Sequence, residues 1–196
     1  MTDEYTTICN TGEGYYTEKR SKFLAWAHHV DTIDDVKQTV AHYRKKYYDA
    51  RHVCFAYVLG PERLEYRAVD DGEPSSTAGK PILGQINSAE LTDILVVVVR
   101  YYGGVNLGTS GLIVAYREAA ALAIADAKKE TRHVEDTIDY DFPYVMMNSV
   151  MRVVKEMQPR IVSQQYDNTC RISLAIRRSE AAMLREKLAK LSFEEN

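Results

Sequence analysis

The stretch Leu91 to Arg100, LTDILVVVVR, constrains the fold more than any other part of this chain. Its core, Ile94 to Val99, is an unbroken aliphatic run with four consecutive valines. β-Branched side chains are stiff and pack well on a pleated surface, so the run reads as a strand. Successive side chains of a strand point to opposite faces. A strand with no polar residue in its middle therefore needs cover on both sides. The run is also far shorter than the roughly 20 apolar residues that a bilayer-spanning helix needs. The chain must build a central strand and bury it between two layers.

The flanking sequence supplies partners for it. Lys22 to Val30 (KFLAWAHHV), His52 to Leu59 (HVCFAYVL) and Leu64 to Ala68 read as strands, the last two joined across GPER. Asp31 to Tyr48 has helical spacing, with Ile33, Val36, Val40, Tyr43 and Tyr47 on one face and Asp31 or Thr32 as cap. A short helix is predicted to start near Pro81, which suits a first helical turn. After the valine run comes YYGGVNLGTSG, with four glycines between Gly103 and Gly111. A long alanine-rich helix, LIVAYREAAALAIADAKK, follows it, with Thr109 or Ser110 as N-cap and Lys128 and Lys129 suited to its C-terminal dipole.

Beyond residue 130 the pattern changes. Val134 to Phe142, Arg160 to Tyr166 and Cys170 to Ile176 read as strands, and Tyr144 to Met157 and Ser179 to Leu191 as helices. The order β-α-β-β-α fits a small split-βαβ, ferredoxin-like domain whose last strand is short or missing, with its hairpin turning at Tyr166-Asp167-Asn168-Thr169. The expected fold class is α+β, with domains at residues 1–132 and 133–196.

Charge narrows the function. The net charge is −3, and residues 131–196 carry ten Lys+Arg against ten Asp+Glu, so neither part is basic as a whole. Contact with nucleic acid would need a local cluster. The basic run Arg44-Lys45-Lys46, near Tyr47, Tyr48 and Arg51, is read as a solvated helix end. Three dispersed cysteines without CxxC argue against a disulfide framework or a zinc site, and the polar N-terminus is not a signal peptide. A cytoplasmic protein without membrane association is expected.

Asp70 to Pro81, DDGEPSSTAGKP, is the densest cluster of reactive groups. It is not a phosphate loop: six residues separate Gly72 from Gly79, and Pro81 occupies the Ser/Thr position. Asp70, Asp71 and Glu73 are too few for a calcium cage; a magnesium ion that keeps several waters is the lesser alternative, and it would serve a hydrolase. Thr77 and Lys80 have S-x-x-K spacing, but Gly79 and Pro81 oppose the helix this signature needs. What remains is a polar loop running into a helix N-terminus, where free N–H groups favour an anion. Lys80, Arg100 and the N–H groups of Thr109, Ser110 and Gly111 are the candidate anion contacts, with Gly103, Gly104 and Gly108 shaping the second loop. Asp70, Asp71, Glu73 and Thr77 are candidates for ordering the first loop. His52 and Cys54 share one strand face but stand ~6.6 Å apart along it, poor for direct proton transfer. They are secondary candidates. No metal or cofactor is expected.

DDGEPSSTAGKPIL (Asp70 to Leu83) and VVVVRYYGGVNLGTSGLIVAYREAA (Val96 to Ala120) together closely resemble the YigZ/IMPACT family. RHVCFAY (Arg51 to Tyr57) and SKFLAWA (Ser21 to Ala27) fit the same order. The resemblance implies a ribosomal-protein-S5-domain-2-like first domain and a ferredoxin-like second domain similar to the last domain of elongation factor G. It also implies regulation of translation, since the eukaryotic relatives compete for the activator of the amino-acid-starvation kinase. Ser76, Asn106 and Ser110 depart from the family pattern, which has glycine, lysine and glycine there.

These readings favour a non-enzymatic regulatory or binding protein linked to translation, its partner an RNA, the ribosome or a translation-regulatory protein. The alternative is a small-molecule hydrolase, peptidase- or phosphatase-like, using the same cleft.

Overall fold

The structure is a computed structural model that describes residues 3–167 and 169–191. The chain divides into two compact units, Tyr5–Arg132 and a second that starts at His133. Asp3 and Glu4, expected with the first domain, belong to the second unit. The Asp3 carboxylate accepts from the Arg177 guanidinium at 2.5 Å and from the Ser179 N–H at 2.9 Å.

The first unit is built on a five-stranded antiparallel sheet. Its strands are β2 (Gly12–Glu18), β3 (Ser21–His29), β4 (His52–Leu59), β5 (Glu65–Val69) and β6 (Ile94–Tyr101), in the order β2-β3-β6-β4-β5. The valine strand β6 is central, as its composition demands, and its side chains divide between two cores. Ile94, Val96 and Val98 pack with Phe23, Cys54 and Ala56 under α2 (Gly79–Ser88) and α3 (Gly108–Asp126). Leu95, Val97 and Val99 pack with Trp26, Val53 and Tyr57 under α1 (Ile33–Lys46). Burying each such side chain contributes about 1.5–3 kcal/mol, so the run fixes the centre of the sheet.

The helix α1 starts with a reciprocal cap: Thr32 accepts from the Asp35 N–H at 3.1 Å, and Asp35 accepts from the Thr32 N–H at 2.9 Å. The start of α3 differs from expectation. Its N-cap is Leu107, with no side-chain cap, and Thr109 and Ser110 lie inside the first turn. Helix α3 crosses β2 so closely that a Cβ on Gly12 would stand 2.1 Å from the Ala123 carbonyl oxygen. Glycine is what lets this edge strand lie under the helix. The same glycines hide β2 from a pattern search. A short ribbon of β1 (Glu4–Ile8) and β7 (Lys129–His133) was likewise not expected; it takes Lys129 from the end of α3 into a strand.

The second unit has β8 (Glu135–Pro143), a 3-10 turn and α4 (Met147–Met157), β9 (Arg160–Tyr166), β10 (Thr169–Arg177) and α5 (Arg178–Leu191). The strand order β8-β10-β9 is that of a split βαβ unit without its fourth strand. Phe142, Val150, Ile172, Leu174 and Leu184 form its core. The expected turn residue Asn168 lies outside the described residues. No described helix is long and apolar enough to cross a membrane.

Candidate functional site

Three adjacent strands place the site. In the register of the sheet Arg100 of β6 faces Phe23 of β3 on one side and His52 of β4 on the other. Arg100 shares the side-chain direction of Val96 and Val98, toward α2 and α3. A guanidinium on that buried face must find a counter-ion. Glu73 supplies it: Arg100 donates from Nη1 to Oε1 at 2.6 Å, with both side chains almost fully buried. Tyr116, midway along α3, donates its hydroxyl to the same oxygen at 2.6 Å. The Arg100 Nε has no hydrogen-bond partner among the described residues.

The loop between β5 and α2 brings Glu73 there, and its other acids hold the loop in shape. One Asp70 carboxylate accepts from the N–H groups of Ser76 at 2.9 Å, Ala78 at 3.1 Å and Gly79 at 2.8 Å. It thereby occupies the amino end of α2, where an external anion was expected to bind. Asp71 accepts from the Val53 N–H at 2.7 Å and from Arg44 at 2.9 Å. Thr77 donates to the Pro74 carbonyl at 2.6 Å. Ser76 sits at φ 65°, in the left-handed region that favours glycine. This explains physically why the family pattern has glycine at that position.

His52 donates from Nδ1 to the Asp71 carbonyl at 2.7 Å, which leaves Nε2 3.7 Å from the second oxygen of Glu73. Cys54 is fully buried and donates to the Asp70 carbonyl at 3.0 Å. Burial pushes its thiol well above the ordinary thiol range, and burial does the same to the Tyr116 phenol. No hydrogen bond joins Cys54 to His52, so they do not assemble as nucleophile and base. Among the described residues, no cluster of three His, Cys, Asp or Glu side chains is arranged to hold a metal ion.

Above this buried network lies an open cleft of about 490 Å³. Arg51, His52, Glu73, Arg100, Tyr102, Asn106, Gly108 and Thr109 are among its lining residues. The sequence thus brings Arg100 and Glu73 together with the start of α3, as the two-loop reading required. Lys80 is exposed and does not line the cleft, because it follows the Asp70-capped turn into α2. Ser110 and Gly111 face a separate hollow with Glu18 and Lys19. Gly103 and Gly104 are also outside the lining. Gly103 lies against the preceding hairpin, where a Cβ would come within 2.2 Å of the Arg20 carbonyl carbon. Asn106, where the family pattern has lysine, accepts from the Tyr102 hydroxyl at 3.3 Å.

Two features escaped the sequence reading. Tyr116 looked like one more core residue of an alanine-rich helix, although a hydroxyl on an otherwise apolar face signals a buried acceptor. Tyr102 collects two cations: the guanidinium carbons of Arg51 and Arg100 lie 5.7 Å and 5.8 Å from its ring centre. A second hollow, about 560 Å³, includes Tyr102 with Tyr15, Arg20, Lys22, Asp49 and Tyr101.

Comparison with known proteins places this arrangement. The Impact N-terminal domain model matches residues 19–124, which span β3 to β6, both loops and nearly all of α3 but leave out β2. An IMPACT family member of Haemophilus influenzae is 33% identical over 160 residues, covering 81% of this chain and 78% of that protein. IMPACT family member YigZ of Escherichia coli is 33% identical over 178 residues, covering 89% and 86%. A crystal structure described as that of a hypothetical protein superposes with a TM-score of 0.78 at 28% identity, covering 98% of this chain and 94% of that one. With the matched domain spanning both loops and the likeness extending over most of its length, this chain belongs to the IMPACT family.

Proposed function

We propose that the protein is a non-enzymatic binding factor linked to translation, and that its first unit holds the phosphate-bearing strand of an RNA along the cleft at Tyr102. The link to translation rests on the family resemblance. The observation that carries the RNA reading is the position of Tyr102, half exposed, lining two adjoining hollows with Arg51 and Arg100 near its ring. Arg20 and Lys22 line the second hollow, so four cations face two acids, Asp49 and Glu73, along the pair. Aromatic faces that stack bases beside cations that track phosphates are the means by which single strands are held without sequence readout. Helix α3 points its uncapped amino end, Gly108 and Thr109, into the same cleft, which favours a phosphate there.

The test is fluorescence anisotropy with a labelled RNA across a salt series. The expected result is binding with a negative slope of log affinity on log salt, reduced by about one unit when Arg51 or Lys22 is replaced by alanine. Tyr102→Ala weakens binding and leaves the slope unchanged, because stacking releases no counterions. Lys80→Ala has no effect, since Lys80 lies outside the lining. Absence of binding at low salt ends the RNA reading and leaves a protein partner.

A further inference from the structure

The two faces of the five-stranded sheet are unequally covered. One carries two helices, α2 and α3, and the other carries α1 alone. Five strands at ~4.8 Å spacing are about 19 Å wide, and a helix with its side chains covers ~10–12 Å. One open flank lies beside α1, over β5 and the adjoining side of β4, where a hollow of about 300 Å³ opens between the helix and the sheet. Its floor is Phe55 and Tyr57. One wall is the flank of α1, where Ile33, Val36, Lys37, Val40, Ala41 and Arg44 recur at the i, i+3, i+4, i+7 spacing of a helix ridge. Ile33 is 38% exposed, high for an isoleucine beside a core.

Charge identifies what fits. Every charged residue lining the hollow is a cation: Lys37, Arg44 and Arg67. This is a local reversal in a chain of net charge −3. Asp71 holds Arg44, whereas Lys37 and Arg67 have no acidic partner among the described residues. Arg67 stands opposite Tyr57 in the β4–β5 register, so it borders the floor from the edge strand, across from Lys37 on the helix. An apolar floor between a helix ridge and a cationic edge is the complement of an amphipathic helix with acidic flanks.

We propose that this flank docks an acidic amphipathic helix of a partner protein, which completes the second helical layer over β4 and β5. The site is distinct from the RNA site: it shares no lining residue with either hollow at Tyr102, and the cleft of Arg100 and Glu73 opens on the opposite face of the sheet, so it does not depend on RNA binding there.

The experiment uses the full chain and three labelled 16-residue peptides. The first has leucines at helical spacing flanked by glutamates, the second replaces glutamate by lysine, and the third keeps the first composition with its leucines scrambled. The expected result is saturable binding of the first peptide only, weakened about tenfold or more by K37E/R67E and unchanged by R51A. Circular dichroism checks that K37E/R67E, a surface variant, remains folded. No saturation of the first peptide at about 300 µM overturns the proposal, as does equal affinity for the lysine peptide. So does loss of binding in R51A with none in K37E/R67E, which would place the peptide in the cleft. Self-association abolished by K37E/R67E would also overturn it, by showing that a second copy covers the flank.

Discussion

Arg100, at the end of the central strand, and Glu73, in the acidic loop, form a buried ion pair with Nη1 and Oε1 2.6 Å apart. The pair ties the two sequence motifs together. It also sets the electrostatics of the cleft floor, since Glu73 neutralises most of what Arg100 could offer a ligand. Arg51 is therefore the freer of the two arginines at Tyr102.

Removing one member of a buried pair leaves the other uncompensated, which costs about 3–5 kcal/mol. Glu73→Ala and Arg100→Ala are each expected to destabilise by that order. The double variant should lose clearly less than the sum, with a coupling of about 1–3 kcal/mol. Denaturant unfolding of the cycle measures it. Strict additivity would mean that the two side chains do not interact.

The Asp70 carboxylate satisfies three N–H groups at the turn into α2, and Asp70→Ala should cost about 2 kcal/mol. Ser76→Gly should act in the opposite direction, stabilising by about 1 kcal/mol, because it relieves the left-handed backbone and keeps the N–H that Asp70 accepts. Thermal unfolding of both variants checks the signs. A Ser76→Gly protein less stable than the parent would show that its side chain, and not its backbone, matters.

Thiol reactivity distinguishes the buried cysteines from a nucleophile. Cys9 is exposed, whereas Cys54 and Cys170 are buried, and the Cys54 thiol is held protonated by its surroundings. One thiol should react promptly with a disulfide reagent at pH 8 and the others only on unfolding. Cys9→Ser should abolish the fast phase. A fast phase lost in Cys54→Ser instead would revive the hydrolase reading.

The pH dependence of stability has a predictable sign at His28. Burial, with the nearby His42, lowers its pKa below the usual 6.5, and its Nε2 lies 2.6 Å from the Tyr43 hydroxyl. Below pH 6.5 the unfolded chain takes up a proton that the folded protein resists. Stability is thus complete above pH 6.5 and falls as the pH drops through the lower folded value. His28→Gln should flatten this acid limb in urea titrations at pH 5 and pH 7. An unchanged limb would assign it to other groups.

The sequence by itself determined the α+β class, the central strand and most elements, since these depend on local periodicity and on runs that only two-sided burial can satisfy. Val96 to Val99 left no other choice, and the Thr32–Asp35 cap is readable from four residues. It failed at β2, where Gly12 and Gly14 answer to a helix more than a hundred residues away. The candidate site divides in the same way. Sequence nominated the acidic loop, Arg100 and the start of α3. Only tertiary structure decided that Asp70 would cap α2, that Glu73 would turn inward to Arg100 and Tyr116, and that Lys80 would stay outside. Those choices depend on which groups are left without water when the sheet and α3 close, and a charge pattern along a chain does not record depth.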